Sequence, residues 1–335
     1  MSHLKTIALA GLLVAFAAAP VLAQDKVTFG TNWLAQAEHG GYYQAVADGT
    51  YAKYGLDVSI RQGGPQVAGR ALLVSGQIEF YMGGATTAID AVKEGIPTVT
   101  LAAIFQKDPQ ILLAHPEAGF TSFADLSRAS KLILSAEGFA SYFTWMKAEF
   151  PDFKDEQYEP YTFNPAPFLA DPMAVQQGYL TSEPFEIERQ AGFAPQVFLL
   201  ADQGFQPYST TIEAMKPWVE ANPDVAKRFI EATIIGWYNY LYGDNAAANA
   251  LIKTENPEMT DEQIAYSIEK MKEYGIVISD AAETQGIGCM TDERWTSYYD
   301  RMVEVGLFEA GIDITQAYST AYVCKGLGVE LAGTM

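Results

Sequence analysis

Short apolar runs alternate with amphipathic stretches along most of the chain, and residues 31–65 show this pattern most clearly. This stretch predicts a strand, an aromatic loop, two short helices and a second strand at residues 56–60. Gly40 and Gly41 begin the first helix, and Gly55 stands where the second helix needs a left-handed residue at its end. Because strand and helix signals alternate, we expect a βαβ unit on a mostly parallel sheet.

The same alternation continues beyond this unit and predicts two points where the chain crosses between lobes. The next predicted elements are helix 68–75, strand 78–82, helix 86–94 and strand 99–105. A strand at 110–116 marks the first crossing, because another helix and strand begin directly after it. A strand at 208–212 marks the second crossing. We therefore expect an α/β fold of two lobes, formed by residues 24–112 with 210–335 and by residues 113–209.

Each lobe is predicted to hold a mostly parallel sheet with helices on both faces, and the two crossings form a hinge beneath a cleft. In the second lobe, Asp125 lies in a short helix, and residues 151–192 form a loop-rich segment with short helices and many Pro and aromatic residues. Long ordered loops of this kind are usually functional. The other predicted elements are strand 131–135, a strand in the run QVFLL before the second crossing, and helices 142–150, 217–222, 225–242 (with Asp224 as a possible N-cap), 246–253, 261–274 and 292–305.

The first 23 residues have the composition of a secretory signal peptide. Lys5 precedes an apolar run at residues 7–19, and Val21, Leu22 and Ala23 form a small-residue cleavage signal. The run is too short for a membrane span, and no cysteine follows the cleavage point to carry a lipid. We expect a soluble periplasmic protein of about 310 residues, which is more than one hydrophobic core usually holds.

Composition narrows the partners that such a protein can have. The formal net charge is −20, and 49% of the residues are hydrophobic. Strong acidity argues against nucleic acid and anionic membranes as partners, and we expect a monomer.

Cys289 and Cys324, the only cysteines, could form a disulfide in an oxidising compartment. The histidines and cysteines do not have the spacing of a zinc site, and no cofactor is predicted.

Candidate ligand-binding residues lie at the carboxyl ends of strands, where open α/β sheets bind ligands. Asn32 and Trp33 follow the first strand of the mature chain, and an indole face can stack on a flat ring. His39 precedes the glycine-started helix, where it either contacts a ligand or caps the turn. Tyr42 and Tyr43 diverge on that helix, so at most one of them faces the cleft, and Tyr42 is the nearer to its mouth.

Two glycine-containing turns supply further candidates, one in each lobe. Gly84, Thr86 and Thr87 begin a helix directly after a strand. The free amide N–H groups there could donate to an oxygen of the ligand, and the alternative is tight packing with Thr86 as a plain N-cap. Phe139 and Tyr142 follow the matching turn of the second lobe and could close over a ring.

Tyr179 and Glu183 follow the aromatic segment and complete the set of candidates. A carboxylate in a cleft accepts charge-assisted hydrogen bonds from ring N–H or amino groups, and these bonds are about twice as strong as neutral ones. The alternative for Glu183 is a solvated loop carboxylate or a helix cap. For Asp171, which stands directly before Pro172, the cap is the favoured interpretation.

Several of these motifs together resemble a known family. They are Trp33, residues 39–42 (HGGY), residues 54–58 (YGLDV), residues 63–65 (GGP), and the longer runs GQIEFYMGGATTAIDAVKEGIPTVTLAAIFQ and YLTSEPFEIERQAG. They are similar to the signature of periplasmic binding proteins of the nitrate, sulfonate and taurine type. Within that group, the chain resembles most the branch that binds thiamine pyrimidine precursors and, in some members, riboflavin. The resemblance implies a two-lobed type II fold that delivers a captured solute to the permease of an ABC importer.

The candidate segments contain neither Lys nor Arg, although arginine is the usual bidentate partner of nitrate or a sulfonate. We therefore expect a flat, neutral or amino-bearing heterocycle, such as a pyrimidine or a riboflavin-like ring. It would lie between Trp33 and second-lobe aromatics, fixed by Glu183 and the turn at Thr86. A small organic anion is the alternative, which an arginine in the cleft, such as Arg70, would support.

An enzyme is a third hypothesis, because the same fold family includes a pyrimidine synthase that consumes its own histidine and carries clustered cysteines. In this chain, cysteines are absent from the glycine-rich region and a secretion signal is present, so we expect a binding protein and no catalytic residues. The sequence does not bring together a nucleophile, a base and an orienting group. Nothing in it resembles the repeats or exposed interaction motifs of an adaptor.

Overall fold

Eight of the ten described strands correspond to strands predicted from the sequence, whereas the two within residues 151–192 do not. The computed structural model describes residues 23–64 and 66–333, so Pro65 and the predicted signal peptide before Ala23 lie outside the described residues. The strands are β1 (Asp25–Gly30), β2 (Leu56–Arg61), β3 (Phe80–Gly83), β4 (Thr98–Phe105), β5 (Gln110–Ala114), β6 (Lys131–Leu134), β7 (Tyr158–Pro160), β8 (Ala174–Tyr179), β9 (Gln196–Leu199) and β10 (Ser209–Met215).

These strands form two sheets of five strands each. The order is β2-β1-β3-β10-β4 in the first sheet and β7-β6-β8-β5-β9 in the second. In the first sheet β10 runs antiparallel to both of its neighbours, and in the second sheet β5 does the same, so the other four strands of each sheet share one direction. The predicted fold class, two mostly parallel sheets joined by two crossings, is confirmed.

The helices cover the faces of both sheets. The described α-helices are α1 (Gly40–Ala47), α2 (Thr50–Lys53), α3 (Gly69–Val74), α4 (Ala85–Lys93), α5 (Ala136–Ala140), α6 (Tyr142–Glu149), α7 (Ala166–Leu169), α8 (Glu183–Ala191), α9 (Lys216–Ala221), α10 (Pro223–Tyr242), α11 (Ala246–Glu255), α12 (Asp261–Glu273), α13 (Ala282–Gln285) and α14 (Asp292–Glu304). Asp224 is not the N-cap of α10, because the helix already begins at Pro223 and Asn222 takes the cap position. The Asp224 carboxylate instead accepts a hydrogen bond from Arg228 at 2.7 Å.

Close packing between α1 and α10 explains the glycine pair at the start of α1. A Cβ atom on Gly41 would lie 2.2 Å from Cγ of Trp237, and a Cβ atom on Gly236 would lie 2.4 Å from the carbonyl oxygen of Gly41. Distances this short exclude any larger side chain at either helix. The glycines therefore let α10 approach α1 directly, and this contact fixes where α1 begins, next to His39.

The segment 151–192 is more regular than the sequence predicts. It contains β7, α7, β8 and α8, and β8 is the central strand of the second sheet. The two helices agree with the short helices predicted here, but the strands were missed, and β8 was missed because Gln176, Gln177 and Gly178 interrupt the apolar run that usually marks a buried strand. Most of β8 is nevertheless buried.

The chain passes between the two sheets at residues 106–109 and 200–208, and Lys107 pairs with Asp202 across the two connections at 3.3 Å. The strands of the second sheet all lie within residues 110–199. The lobe boundaries themselves stay a prediction. Over the described part of the chain, none of the helices is both long and apolar enough to cross a membrane.

The two cysteines are joined in the structure. Cys289 and Cys324 form a disulfide, with their Cα atoms 4.6 Å apart. The bond ties the segment before α14 to the C-terminal region of the described chain.

Candidate functional site

A cavity of about 910 Å³ lies between the two sheets and is lined by residues of both. Its walls begin where parallel strands end: residues 32–33 follow β1, residues 84–87 follow β3, and residues 135–142 follow β6. The last residues of β8 and the start of α8 complete the second wall. This position, outside the carboxyl ends of the strands, is where open α/β sheets bind ligands.

Nine of the residues predicted to bind the ligand line this cavity. They are Asn32, Trp33, His39, Gly84, Thr86, Thr87, Tyr142, Tyr179 and Glu183. Their placement brings together segments far apart in the sequence, and ligand contact by each of them stays a prediction.

Tyr42 does not line the cavity, contrary to expectation. Its side chain is 0% exposed, and its ring lies 4.2 Å from that of Phe29 and 5.8 Å from that of Trp237. The helix α1 turns this side chain towards β1 and α10, so Tyr42 belongs to the hydrophobic core.

Phe139 also lies away from the cavity wall. Its ring stands 4.1 Å from that of Tyr158 and 5.4 Å from that of Phe143, so it packs within the second lobe. On the same short turn, Gly138 and Tyr142 take the side that faces the cavity.

An aromatic contact joins the two walls at one end of the cavity. The ring of Trp33, after β1, lies 4.7 Å from that of Phe163, which belongs to the second wall. Phe163 is 45% exposed and has a left-handed backbone with a φ angle of 60°, which costs a residue with a side chain some strain. The aromatic density of residues 151–192 indicated a functional segment, but it could not indicate which ring meets Trp33.

Glu183 begins α8, and its carboxylate is held against the backbone of β8. It accepts a hydrogen bond from the Tyr179 amide at 2.7 Å. A Cβ atom on Gly178 would lie 2.9 Å from Cβ of Glu183, so the missing side chain makes room for this carboxylate. Burial raises the pKa of Glu183, which disfavours a bare negative charge there and favours a donor partner.

Arg70 lines the cavity, which supports the small-anion alternative, but its charge is already compensated. Its Nη2 atom donates to both carboxylate oxygens of Glu213, at 3.0 and 2.9 Å, and its Nη1 atom donates to the Thr87 carbonyl at 2.7 Å. Glu213 is fully buried on β10, the strand that follows the second connection. Burial raises its pKa to about 7, against the opposing effect of Arg70.

Acidic side chains dominate the rest of the wall. Glu38, Asp90, Asp108, Glu137 and Glu183 all line the cavity, and Arg70 is the only Lys or Arg among the described lining residues. Burial lowers the pKa of His39 to about 3, so its imidazole is neutral at pH 7. Glu38, which accepts a hydrogen bond from the Thr181 hydroxyl, has a pKa raised by burial to about 7.

Sequence reasoning did not single out Glu38, Asp108, Phe163 or Gln177, although all four line the cavity. Glu38 stands directly before His39, and this position beside a candidate residue is the sequence feature that could have identified it. Among the described residues, there is no group of three or more His, Cys, Asp or Glu that could hold a metal ion.

Comparison with known proteins agrees with this architecture. The model of the family described as NMT1/THI5 like matches residues 36–248. The riboflavin-binding protein RibY of Chloroflexus aurantiacus is 23% identical over 310 residues, which cover 90% of this chain and 87% of that protein.

Solved structures of periplasmic binding proteins share the fold. The sulfonate-binding protein SsuA of Methylobacillus flagellatus KT, itself described as putative, is 14% identical with a TM-score of 0.61, covering 90% of this chain and 93% of its own. The nitrate-binding protein NrtA of Synechocystis PCC 6803 is 14% identical with a TM-score of 0.56, covering 93% and 89%. At these identities the likeness concerns the fold alone.

Proposed function

Because this chain belongs to the NMT1/THI5-like family, we propose that it is the solute-binding component of an ABC importer. Its ligand is a flat heterocycle with a ring N–H or an amino group as hydrogen-bond donor, and the cavity between the two sheets holds it. The family match confirms the resemblance that the sequence motifs indicate.

The charge of the cavity wall is the observation that carries this ligand class. Five carboxyl groups line the cavity, and Glu213 compensates the charge of Arg70. An anion would lose its hydration without gaining a free cation, whereas an amino group can donate to carboxyl oxygens. Glu183 is the best placed of them, since its carboxylate is already oriented by the Tyr179 amide.

The aromatic residues of the wall favour a flat ring. Trp33 projects from one wall, and Phe163 and Tyr179 belong to the other, so a ring can be contacted from both lobes. Offset stacking contributes about 0.5–1.5 kcal/mol beyond the burial of area.

The size of the cavity bears on which heterocycle is bound. Sites for drug-sized ligands are roughly 300–1,000 Å³, and a cavity of about 910 Å³ lies near the top of that range. It therefore suits a multi-ring system, or a pyrimidine with a sizeable substituent, better than a bare pyrimidine. The relative RibY, which is named for riboflavin, is consistent with this size.

A small organic anion is the second candidate, and Arg70 in the wall is the observation that favours it. The likeness in fold to sulfonate- and nitrate-binding proteins does not separate the two ligand classes. The pairing of Arg70 with Glu213 at 2.9 Å favours the heterocycle.

We further propose that the cavity binds its ligand without turnover. We propose a periplasmic monomer in which the two lobes close on the ligand about the connections at 106–109 and 200–208. Ligand affinity shifts an equilibrium between open and closed forms, and a permease recognises the closed form. Recovery of the bound heterocycle unchanged after long incubation would exclude an enzyme that converts it.

Thermal unfolding against a panel of pyrimidines, flavins, purines, sulfonates, nitrate and carboxylates tests the proposal. The protein is first stripped of any ligand carried through purification. A true ligand at about 100 times its Kd adds about 2.7 kcal/mol, which raises the midpoint by several degrees. We expect shifts with flavins or aminopyrimidines only, and a shift confined to small anions would overturn the heterocycle.

A further inference from the structure

Gln177 is a buried amide at the cavity end of the central strand of the second sheet. It lies on β8, pairs in register with Leu112 of β5, and lines the cavity with only 9% of its surface exposed. A polar side chain this enclosed needs hydrogen-bond partners for both ends of its amide.

The orientation of this amide is fixed by its neighbours. Its Oε1 atom accepts hydrogen bonds from the Ser135 backbone N–H at 2.5 Å and from the Tyr142 hydroxyl at 2.8 Å. A backbone N–H can only donate, so the amide atom facing it is the oxygen. The Nε2 group, with its two N–H donors, makes no hydrogen bond to the described part of the chain.

The turn after β6 is built to hold this arrangement. A Cβ atom on Gly138 would lie 2.4 Å from the Tyr142 hydroxyl oxygen, so only glycine leaves room for that hydroxyl beside Gln177. Burial raises the pKa of Tyr142 well above its ordinary value, which keeps the hydroxyl a donor at any physiological pH. The turn therefore orients an amide as well as lining the cavity.

We infer that Gln177 is a specificity-determining residue that donates a hydrogen bond to a neutral acceptor on the ligand. The acceptor is a carbonyl oxygen or an unprotonated ring nitrogen, because an anionic acceptor would meet the carboxyl groups of the same wall. A ligand without that acceptor would leave a buried donor unpaired, and this loss opposes its binding. The inference rests on the proposed function and narrows it to heterocycles with both a donor and an acceptor.

Paired probes of equal shape test this inference by isothermal titration calorimetry. One probe is a hydroxymethyl aminopyrimidine, and the other is the aminobenzyl alcohol of the same outline, in which carbons replace both ring nitrogens. The variant Gln177→Glu keeps acceptors for Ser135 and Tyr142, and titrations at about pH 9 keep its carboxylate ionised, so that it offers the ligand no donor. Gln190→Glu makes the same change on the exposed face of α8 and is the matched control.

The wild type and Gln190→Glu should bind the pyrimidine at least about tenfold more tightly than its carbocyclic analogue, since a hydrogen bond in a buried site is worth about this factor. In Gln177→Glu the preference should fall below about threefold. Equal binding of the two probes by the wild type, or an unchanged preference in Gln177→Glu, would overturn the inference alone. If the wild type binds neither probe nor riboflavin, the proposed function fails as well.

Discussion

The guanidinium of Arg70 and the carboxylate of Glu213 form an ion pair in the wall of the cavity, with Nη2 of Arg70 lying 2.9 Å from Oε2 of Glu213. Arg70 comes from α3, while Glu213 lies on β10, with no exposed surface. The pair compensates the charge of Arg70, the only guanidinium among the described residues that line the cavity. It thereby supports the proposed heterocycle over a small anion.

Removing the carboxylate of Glu213 should allow the cavity to bind a small anion. In Glu213→Gln the charge of Arg70 is uncompensated, so we expect measurable binding of methanesulfonate and a loss of about 3 kcal/mol in the free energy of unfolding. Titration calorimetry and urea denaturation measure the two effects. Asp202→Asn breaks the exposed pair with Lys107 and should cost less than about 1 kcal/mol. If Glu213→Gln still does not bind methanesulfonate, the ion pair between Arg70 and Glu213 does not determine whether the cavity binds anions.

Stacking on Trp33 should supply much of the ligand affinity. Trp33→Ala removes a large aromatic face and should weaken riboflavin binding by about tenfold or more. Phe139→Ala, which removes a ring packed against Tyr158 outside the cavity, should leave the Kd within about twofold. Quenching of flavin fluorescence measures both values. Equal losses in the two variants would show that Trp33 acts through stability and not through stacking.

The carboxylate of Glu183 should recognise the amino group of the ligand. Glu183→Gln keeps the shape and the bond to the Tyr179 amide, but it loses the charge that strengthens the hydrogen bond. We expect the Kd for an aminopyrimidine to rise about tenfold or more. Glu188→Gln changes an exposed carboxylate on the same helix and should leave the Kd unchanged. Wild-type affinity in Glu183→Gln would remove this residue from the site.

Stability should depend on pH through Glu38, which is 2% exposed and faces Thr181, Tyr179, Tyr240 and Glu183. Its pKa is raised from 4.5 to about 7 by burial. Between these two pH values the folded protein keeps the Glu38 proton, whereas the unfolded chain loses it. The contribution of Glu38 to the free energy of unfolding is therefore fully present below pH 4.5 and is lost as the pH rises through about 7.

Glu38→Gln should remove that slope. The difference in unfolding free energy between wild type and Glu38→Gln should change by up to about 3 kcal/mol across this interval, with the wild type losing stability as the pH rises. Urea denaturation at several pH values measures it, and the subtraction cancels the similar effect of Glu213. A constant difference would mean that Glu38 titrates normally.

The disulfide should stabilise the fold without contributing to binding. Its cysteines are 35 residues apart in sequence, and cross-links of this kind typically contribute about 2–4 kcal/mol. The double variant Cys289→Ala and Cys324→Ala should lose about that much in urea denaturation, as should the wild type under reductant. Neither cysteine lines the cavity of about 910 Å³, so the Kd should not change. A large change in Kd would connect this bond to the cleft.

The sequence alone determined the architecture, because strands and helices leave local signals. Alternating apolar runs and glycine or proline stops located most elements, including both crossings, β5 and β10. The main failure, β8, came where Gln176 and Gln177 replace apolar residues, since a buried polar strand is stabilised by partners that the local pattern does not contain. The candidates were chosen from the family motifs and from the expectation that ligands bind at the carboxyl ends of strands, and nine of them line one cavity.

The tertiary structure alone decided what each of these side chains faces. Tyr42 turns to the core because α10 packs on α1, and Phe163 meets Trp33 although 130 residues separate them, a relationship that no local pattern records. The pairing of Arg70 with Glu213 and the fixed amide of Gln177 likewise join distant segments. The preferences of residues for helix or strand act over a few positions of the chain. The net charge and the hydrogen-bond donors of a cavity, in contrast, depend on side chains that only folding brings together.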